Sequence, residues 1–495
     1  MRAMDSRTIR ILRAAIVLLG AALLRTQSAR AALPGNPRDA LREADALFAA
    51  GRLFEARAAY AALAGRQPNL APAWLRLGIV ATLRAEPEAA DSAFLGVVRA
   101  GPAADDSALL RLYQGELAAR AGDAGQAQQY WARISDDSPL AGVRHLLAAE
   151  LLLSSADYPG AEATYHAALA AGMPPSGRAL AQSRLALLRA SSDPSAARAL
   201  LAEAPAGPVV RASMWVAPLL PPATPSAGQI AAALDAPAAE RPQLLGQIYL
   251  GARLYALAEA QFAAVDPRGP NALAAAAYAA YTRWSAGDRA EGLRRLESLA
   301  ADNPAEPRAR ALLALALLNN RDDEAARREL AMVRKLAPRS PDTHLAWGQW
   351  YVAQHDYIAA ADAYQQALRD APAEQRGNYA LALARFYVDT DFQLCASGQP
   401  AATTATRALP DDPRAWAALA AAELSCANPG GARAAAEHAL QLAPGDAEAA
   451  YYLGRALAAL GERAPARQAL IHAADSAPAS AWRVRAEQQM AALGL

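Results

Sequence analysis

A pattern of large, small and breaker residues returns along this chain, usually 34 residues further on. It is clearest between Glu448 and Pro478. Apolar residues at 450, 453, 457 and 460 follow the i, i+3, i+4 rhythm of one buried helix face. Gly461 breaks that helix, because glycine accepts left-handed dihedrals. A second helix is expected from about Ala464 to Ala474, with Pro465 in its first turn. Pro478 then blocks continuation. Gly454 and Ala466 are small where two antiparallel backbones cross, so Leu453, Leu457 and Leu470 can fill the flanks. One such hairpin cannot bury both faces, whereas a stack of copies can.

This repeat constrains the fold more than length does. A chain of 495 residues would ordinarily suggest about three domains, but a solenoid grows without closing a single core. Apolar content is 54%, raised by alanine, the best helix former. The formal charge is +1. Six arginines fall in the first 31 residues against Asp5, leaving 43 basic and 47 acidic residues in the remainder. That balance argues against a nucleic-acid stripe or a polybasic membrane patch. Lys335 is the only lysine.

Residues 1–31 read as a secretory signal. Arg2, Arg7, Arg10 and Arg13 give a positive start, and Ala14 to Leu24 is uncharged. Ala29-Arg30-Ala31 places small residues three and one before a cut after Ala31. Arg25 ends the run short of the roughly 20 apolar residues a membrane span needs. Three readings stay open: a cleaved signal, an uncleaved N-terminal anchor, and a misread start of a cytoplasmic protein.

The units begin near Pro37. Trp74, Leu77, Gly78, Ala90, Phe94 and Pro102 mark the second. Gly115, Ala127, Trp131 and Pro139 mark the third, and Ala149, Ala161 and Tyr165 the fourth. The fifth, 176–209, is weak. Residues 210–238 carry Pro218, Pro221, Pro222, Pro225 and Pro237 and cannot be helix interior throughout. They read as a degenerate repeat with a long loop or as a linker between two halves. The phase resumes near 239 and passes through Trp347, Gly348, Ala360, Tyr364 and Pro372. An enlarged loop is expected from Asp389 to Pro400. Ala481 to Leu493 is a last helix with Arg483, Arg485, Glu487, Gln488 and Gln489, a polar cap for an exposed apolar end. The expected organisation is a signal at 1–31, arrays at 32–209 and 239–480 around 210–238, and a capping helix at 481–495.

Trp74, Leu77, Gly78, Ala90, Phe94 and Pro102 resemble the tetratricopeptide repeat. The resemblance covers roughly residues 37–495. It implies an all-α fold, a right-handed solenoid of about 11–12 antiparallel helix pairs with a capping helix. It also implies a concave groove of first helices that holds a peptide or a partner protein. The Lys/Asn set by which some members clamp a C-terminal carboxylate is missing.

Motifs for chemistry are sparse. No Gly-rich phosphate loop or Gly-x-Ser-x-Gly elbow occurs, and no pair among His145, His166, His344, His355, His438 and His472 has metal-ligand spacing. Asp389 and Asp391 fall far short of the six or so oxygens calcium needs. Asp322-Asp323 and Asp411-Asp412 read as N-caps. No cofactor or catalytic residue is expected. Cys395 and Cys426, the only cysteines, sit near equivalent points of neighbouring units. They read as a disulfide closing a loop of about 30 residues, which an exported compartment would permit, or as two separate buried thiols.

First-helix residues expected to face the groove are Tyr113, Glu116, Tyr278, Tyr281, Trp284, Gln349, Tyr451, Tyr452 and Arg455. Exposed aromatics there can anchor a partner. The expected function is a non-catalytic interaction scaffold of a bacterial cell envelope or periplasm. The alternative is a glycan- or polymer-binding module in which Tyr281, Trp284, Tyr451 and Tyr452 stack on sugar rings. No nucleic acid is expected as partner, and membrane only through an uncleaved N-terminal segment.

Overall fold

The computed structural model describes residues 36–202, 215–216, 219, 226–373, 375–477 and 480–494. The expected signal at 1–31 and Pro478 lie outside them, as does much of 210–238.

Each unit follows one local logic. A first helix ends, one residue takes a left-handed φ, an acidic or amide residue caps the next helix, and the chain returns. The left-handed position falls at Gly122, Ala156, Arg321, His355 and Ala427. Asp123, Asp157, Asp322, Asp356 and Asn428 follow directly. Each accepts a hydrogen bond from a backbone N–H three residues on, which satisfies a donor the helix start leaves free. Asp412 caps in the same way, through the N–H of Arg414.

The small residue of each first helix meets a bulky one 16 positions later. A Cβ on Gly78 would lie 2.3 Å from the Phe94 ring. Gly115 faces Trp131, Gly246 faces Phe262, Gly348 faces Tyr364, and Gly454 faces Leu470 in the same way. These contacts set how closely the helices of a pair approach.

Among the described residues there are 26 α-helices and no strand. Five antiparallel pairs run from Pro37–Ala49 with Leu53–Arg66 to Pro175–Arg189 with Pro194–Ala202. The helix Ser226–Asp235 stands alone. Seven more pairs run from Arg241–Gly251 with Tyr255–Ala263 to Ala447–Ala459 with Arg463–Ser476, and Ala481–Leu493 ends the array. The fold is the all-α solenoid of helix pairs that the repeat implies.

The interruption does not break the core. Ile230 and Leu234 of the lone helix share one apolar cluster with Leu187, Leu245 and Tyr249. The Tyr249 hydroxyl donates to the Leu187 carbonyl at 2.9 Å.

First helices also touch the first helices of the next unit. Ala71–Leu83 meets Ala104–Arg120, Arg376–Thr390 meets Pro413–Ser425, and Pro413–Ser425 meets Ala447–Ala459. Second helices pack chiefly on their sequence neighbours. First helices therefore crowd the inside of a curve, and their free faces make its concave wall.

The curve returns on itself. The second helix of the first pair, Leu53–Arg66, packs against the second helix of the last pair, Arg463–Ser476. The Phe54 N–H donates to Asp475 Oδ2 at 2.9 Å, and Arg467 pairs with Glu55 at 3.0 Å. Arg84, at the end of the second unit's first helix, reaches both Asp475 and Glu487. The terminal helix thus does more than turn a polar face to solvent: Glu487 binds the beginning of the chain.

Candidate functional site: the concave face

Two positions of each first helix face the groove, one directly after the small residue and one six before it. In the N-terminal units these include Pro72, Ile79 and Leu109. In the C-terminal units they include Asn378, Arg385, Arg414, Glu448 and Arg455. The N-terminal units also carry Arg38, Asp45, Glu116 and Glu150 at these positions, so their apolar groups form a patch around Pro72, Ile79 and Leu109 rather than a wholly apolar end.

At the C-terminal end, Asn378, Leu381, Ala382, Arg385, Arg414 and Glu448 line an open cavity of about 570 Å3. They come from three successive first helices. Arg385 pairs with Glu448 at 2.6 Å and with Asp389 at 2.8 Å. Burial pushes the Glu448 carboxyl above its ordinary value, and Arg385 offsets part of that rise. Arg414 pairs with Asp412 at 2.7 Å while its side chain stays 68% exposed. This arrangement offers a guanidinium fork and a neutral amide to a carboxylate or to backbone carbonyls of an extended chain. Among the described residues, no group of three or more His, Cys, Asp or Glu is placed to hold a metal ion.

The aromatic residues expected in the groove fare unevenly. Tyr113 is 0% exposed, Trp284 9% and Tyr452 7%, so these three are packing residues rather than exposed anchors. Tyr113 and Tyr452 lie where another part of the chain covers them, and Trp284 packs in the apolar cluster that holds Leu296 and Leu313 of the following helices. Tyr113 lies beneath Trp215, whose carbonyl accepts from its hydroxyl at 2.5 Å. Trp284 stacks under the half-buried Tyr281, with ring centroids 5.4 Å apart. Tyr452 and the half-buried Tyr451 both contact Trp482 of the terminal helix, and burial raises the Tyr452 hydroxyl above its ordinary pKa. Tyr278, also half-buried, stacks on Phe262 at 5.4 Å. Trp284 and Tyr452 are too buried to stack on a sugar ring, while Tyr281 and Tyr451 stay half-buried.

The polar expectations lie nearer the surface. Glu116 is half-buried and pairs with Arg120 at 2.7 Å. Gln349 is exposed. Arg455 is exposed, with its guanidinium 5.8 Å from the Tyr451 ring centroid. Tyr451, Tyr452 and Arg455 form one cluster, Tyr278, Tyr281 and Trp284 share the helix Ala272–Ser285, and Gln349 stands apart from both. Sequence reading missed Asn378, Arg385, Arg414 and Glu448. Their signal was register: Arg385 occupies the position of Gln349 and Arg455, one residue after the small residue.

Cys395 and Cys426 are bonded, with Cα atoms 4.9 Å apart. The enlarged loop brings them together. Asp391 and Gln393 take left-handed φ of 53° and 46°, and Leu394–Gly398 forms a single π-helical turn that carries Cys395 toward the next unit.

Residues 283–346 match the tetratricopeptide repeat family. A search of the curated proteins finds no match. Among solved structures, the chain is similar to YrrB, described as a tetratricopeptide-repeat protein with an unusual peptide-binding site. That similarity has 19% identity and a TM-score of 0.32 over 39% of this chain and 97% of that one. It is similar to PilW, a type IV pilus biogenesis factor, at 14% identity and a TM-score of 0.38, over 43% of this chain and 97% of that one. It is also similar to a chain of the APC/C hetero-tetramer Cut9–Hcn1 at 12% identity and a TM-score of 0.38. That likeness covers 95% of this chain and 91% of the other.

Proposed function

We propose that this tetratricopeptide-repeat chain is a non-catalytic scaffold that holds an extended peptide or a partner subunit against its concave face. The observation that carries the reading is the open cavity between Asn378 and Glu448, where three first helices present charged and amide groups to one space. An extended chain exposes carbonyls and carboxylates at a spacing such a row of donors can follow.

We place the protein in the periplasm or cell envelope. The arginine-led N-terminus followed by an uncharged run supports export. The Cys395–Cys426 bond also supports an oxidising compartment.

Affinity capture from an envelope extract tests the scaffold. Wild-type protein is expected to retain a partner that Arg414→Glu with Arg455→Glu loses by more than tenfold, with helical circular dichroism unchanged. Equal retention by both proteins would remove the charged groove from the reading. Fractionation that leaves the intact chain in the cytoplasm would remove the envelope.

A further inference from the structure

The apolar patch of the groove is already filled, and by the chain itself. Trp215 lies against Phe48, with ring centroids 4.5 Å apart. The Arg76 guanidinium sits 5.0 Å from the Trp215 ring centroid, an electrostatically favourable placement over the indole face. The Tyr113 hydroxyl donates to the Trp215 carbonyl at 2.5 Å across 102 residues of sequence. Val216 and Leu219 are 2% and 5% exposed, within the apolar cluster that contains Leu75, Ile79 and Leu112. These contacts come from the first helices of the first three units, on their concave side.

We propose that Trp215, Val216 and Leu219 act as a built-in ligand: they occupy a binding surface for segments that carry an indole followed by aliphatic side chains one and four residues on and that turn as this one does, with the Leu219 N–H donating to the Val216 carbonyl at 3.0 Å. The proposal rests on the reading of the concave face as a binding surface, and it names the ligand chemistry and the regulation of one end. Three observations distinguish a displaceable ligand from one more piece of repeat core. Trp215 belongs to no repeat and stays only partly buried. It is held by a side-chain hydroxyl and a cation over its ring, handles that any peptide with a carbonyl and an indole can use. A cavity of about 260 Å3 continues past it between Pro72, Leu75, Leu109 and Leu140, so the surface extends beyond what Trp215 covers. The prolines of this sequence stretch lower the entropy lost when such a segment docks. A partner must therefore compete with a tethered segment at high effective concentration, and the groove binds weakly until that segment leaves.

The probe is a fluorescein-labelled peptide with the sequence of residues 212–221. The full chain carrying Trp215→Ser, Val216→Ser and Leu219→Ser is expected to bind it at least tenfold more tightly than wild type does. Tyr113→Phe in that background is expected to weaken binding severalfold. A helical variant that does not bind, or one whose N-terminal units unfold, overturns the proposal, the second by making the segment a fixed part of the core. Hydrogen exchange of the wild-type chain gives a reading that does not depend on the variant. Saturating peptide should raise exchange at 215–219 while Ala71–Leu83 and Ala104–Arg120 stay protected, and no change would overturn the inference. Failure here leaves the scaffold standing, because capture through Arg414 and Arg455 reads the other end of the groove.

Discussion

The Arg84 guanidinium donates to the Asp475 carboxylate across 391 residues of sequence, with both side chains 2% exposed. Arg84 also donates to Glu86 at 3.1 Å and to Glu487 at 3.2 Å. One buried cation therefore joins the second unit, the last unit and the terminal helix.

Asp475→Ala leaves Arg84 with Glu86 and Glu487 but removes the buried acceptor that Arg84 donates to, a loss of about 1–3 kcal/mol. Asp475→Ala also strands the Phe54 N–H. Each unit otherwise leans on its sequence neighbours, so the loss is expected to open the ends rather than melt the helices. Small-angle scattering should show a larger radius of gyration with unchanged helical circular dichroism.

The same contact carries a pH dependence. Burial pushes the Asp475 carboxyl up to about 6, and the Phe54 N–H and Arg84 offset only part of that rise from 3.8. Glu55, Glu86, Glu487 and Arg467 complete the charges around it. Between those two values the closed form holds a proton that the open form lacks, so closure strengthens as pH falls and weakens as pH rises through 6. The radius of gyration should be smaller at pH 5 than at pH 7.5. Asp475→Asn mimics the protonated form and should stay compact at both.

Gly78→Ala places a methyl group against the Phe94 ring at 2.3 Å. Gly78 is buried and Phe94 lies within the apolar cluster around Leu75 and Ile79, so overpacking should cost about 1–3 kcal/mol. Urea denaturation would show a lowered midpoint.

Arg321 holds a φ of +61° at the turn where other units use glycine. A residue with a Cβ loses about 1–2 kcal/mol in that region, part of which glycine returns as unfolded-state entropy. Arg321→Gly should therefore stabilise by about 0.5–1 kcal/mol, readable as a rise in thermal midpoint.

The Cys395–Cys426 bond spans a sequence separation of 31. A loop of that size contributes about 3–4 kcal/mol in the chain-entropy account. Cys395→Ser with Cys426→Ser should lower the denaturation midpoint in non-reducing buffer, and added reductant should leave that variant unchanged while lowering the wild type to match it.

Much of the architecture was legible before any coordinates. Gly454 and Leu470, or Gly348 and Tyr364, stand 16 residues apart because one hairpin places them face to face, and that is a local relation. Asp322 and Asp412 read as caps for the same reason. The site was less legible. Tyr113, Trp284 and Tyr452 occupy first-helix positions that a repeat rule leaves free, yet Trp215 covers Tyr113, Trp482 covers Tyr452, and Trp284 packs with Leu296 and Leu313. Trp215 arrives from a stretch with no repeat phase, so no periodicity foretold its seat.

The amino-acid sequence by itself determined the helix pair, its turn, its caps and the spacing at which it recurs, because those depend on contacts within one or two units. Only the tertiary structure decided that Arg84 meets Asp475 and that Trp215 enters the groove. The small rotation between successive pairs accumulates over the whole array, and whether the ends meet depends on its sum, which no single repeat encodes.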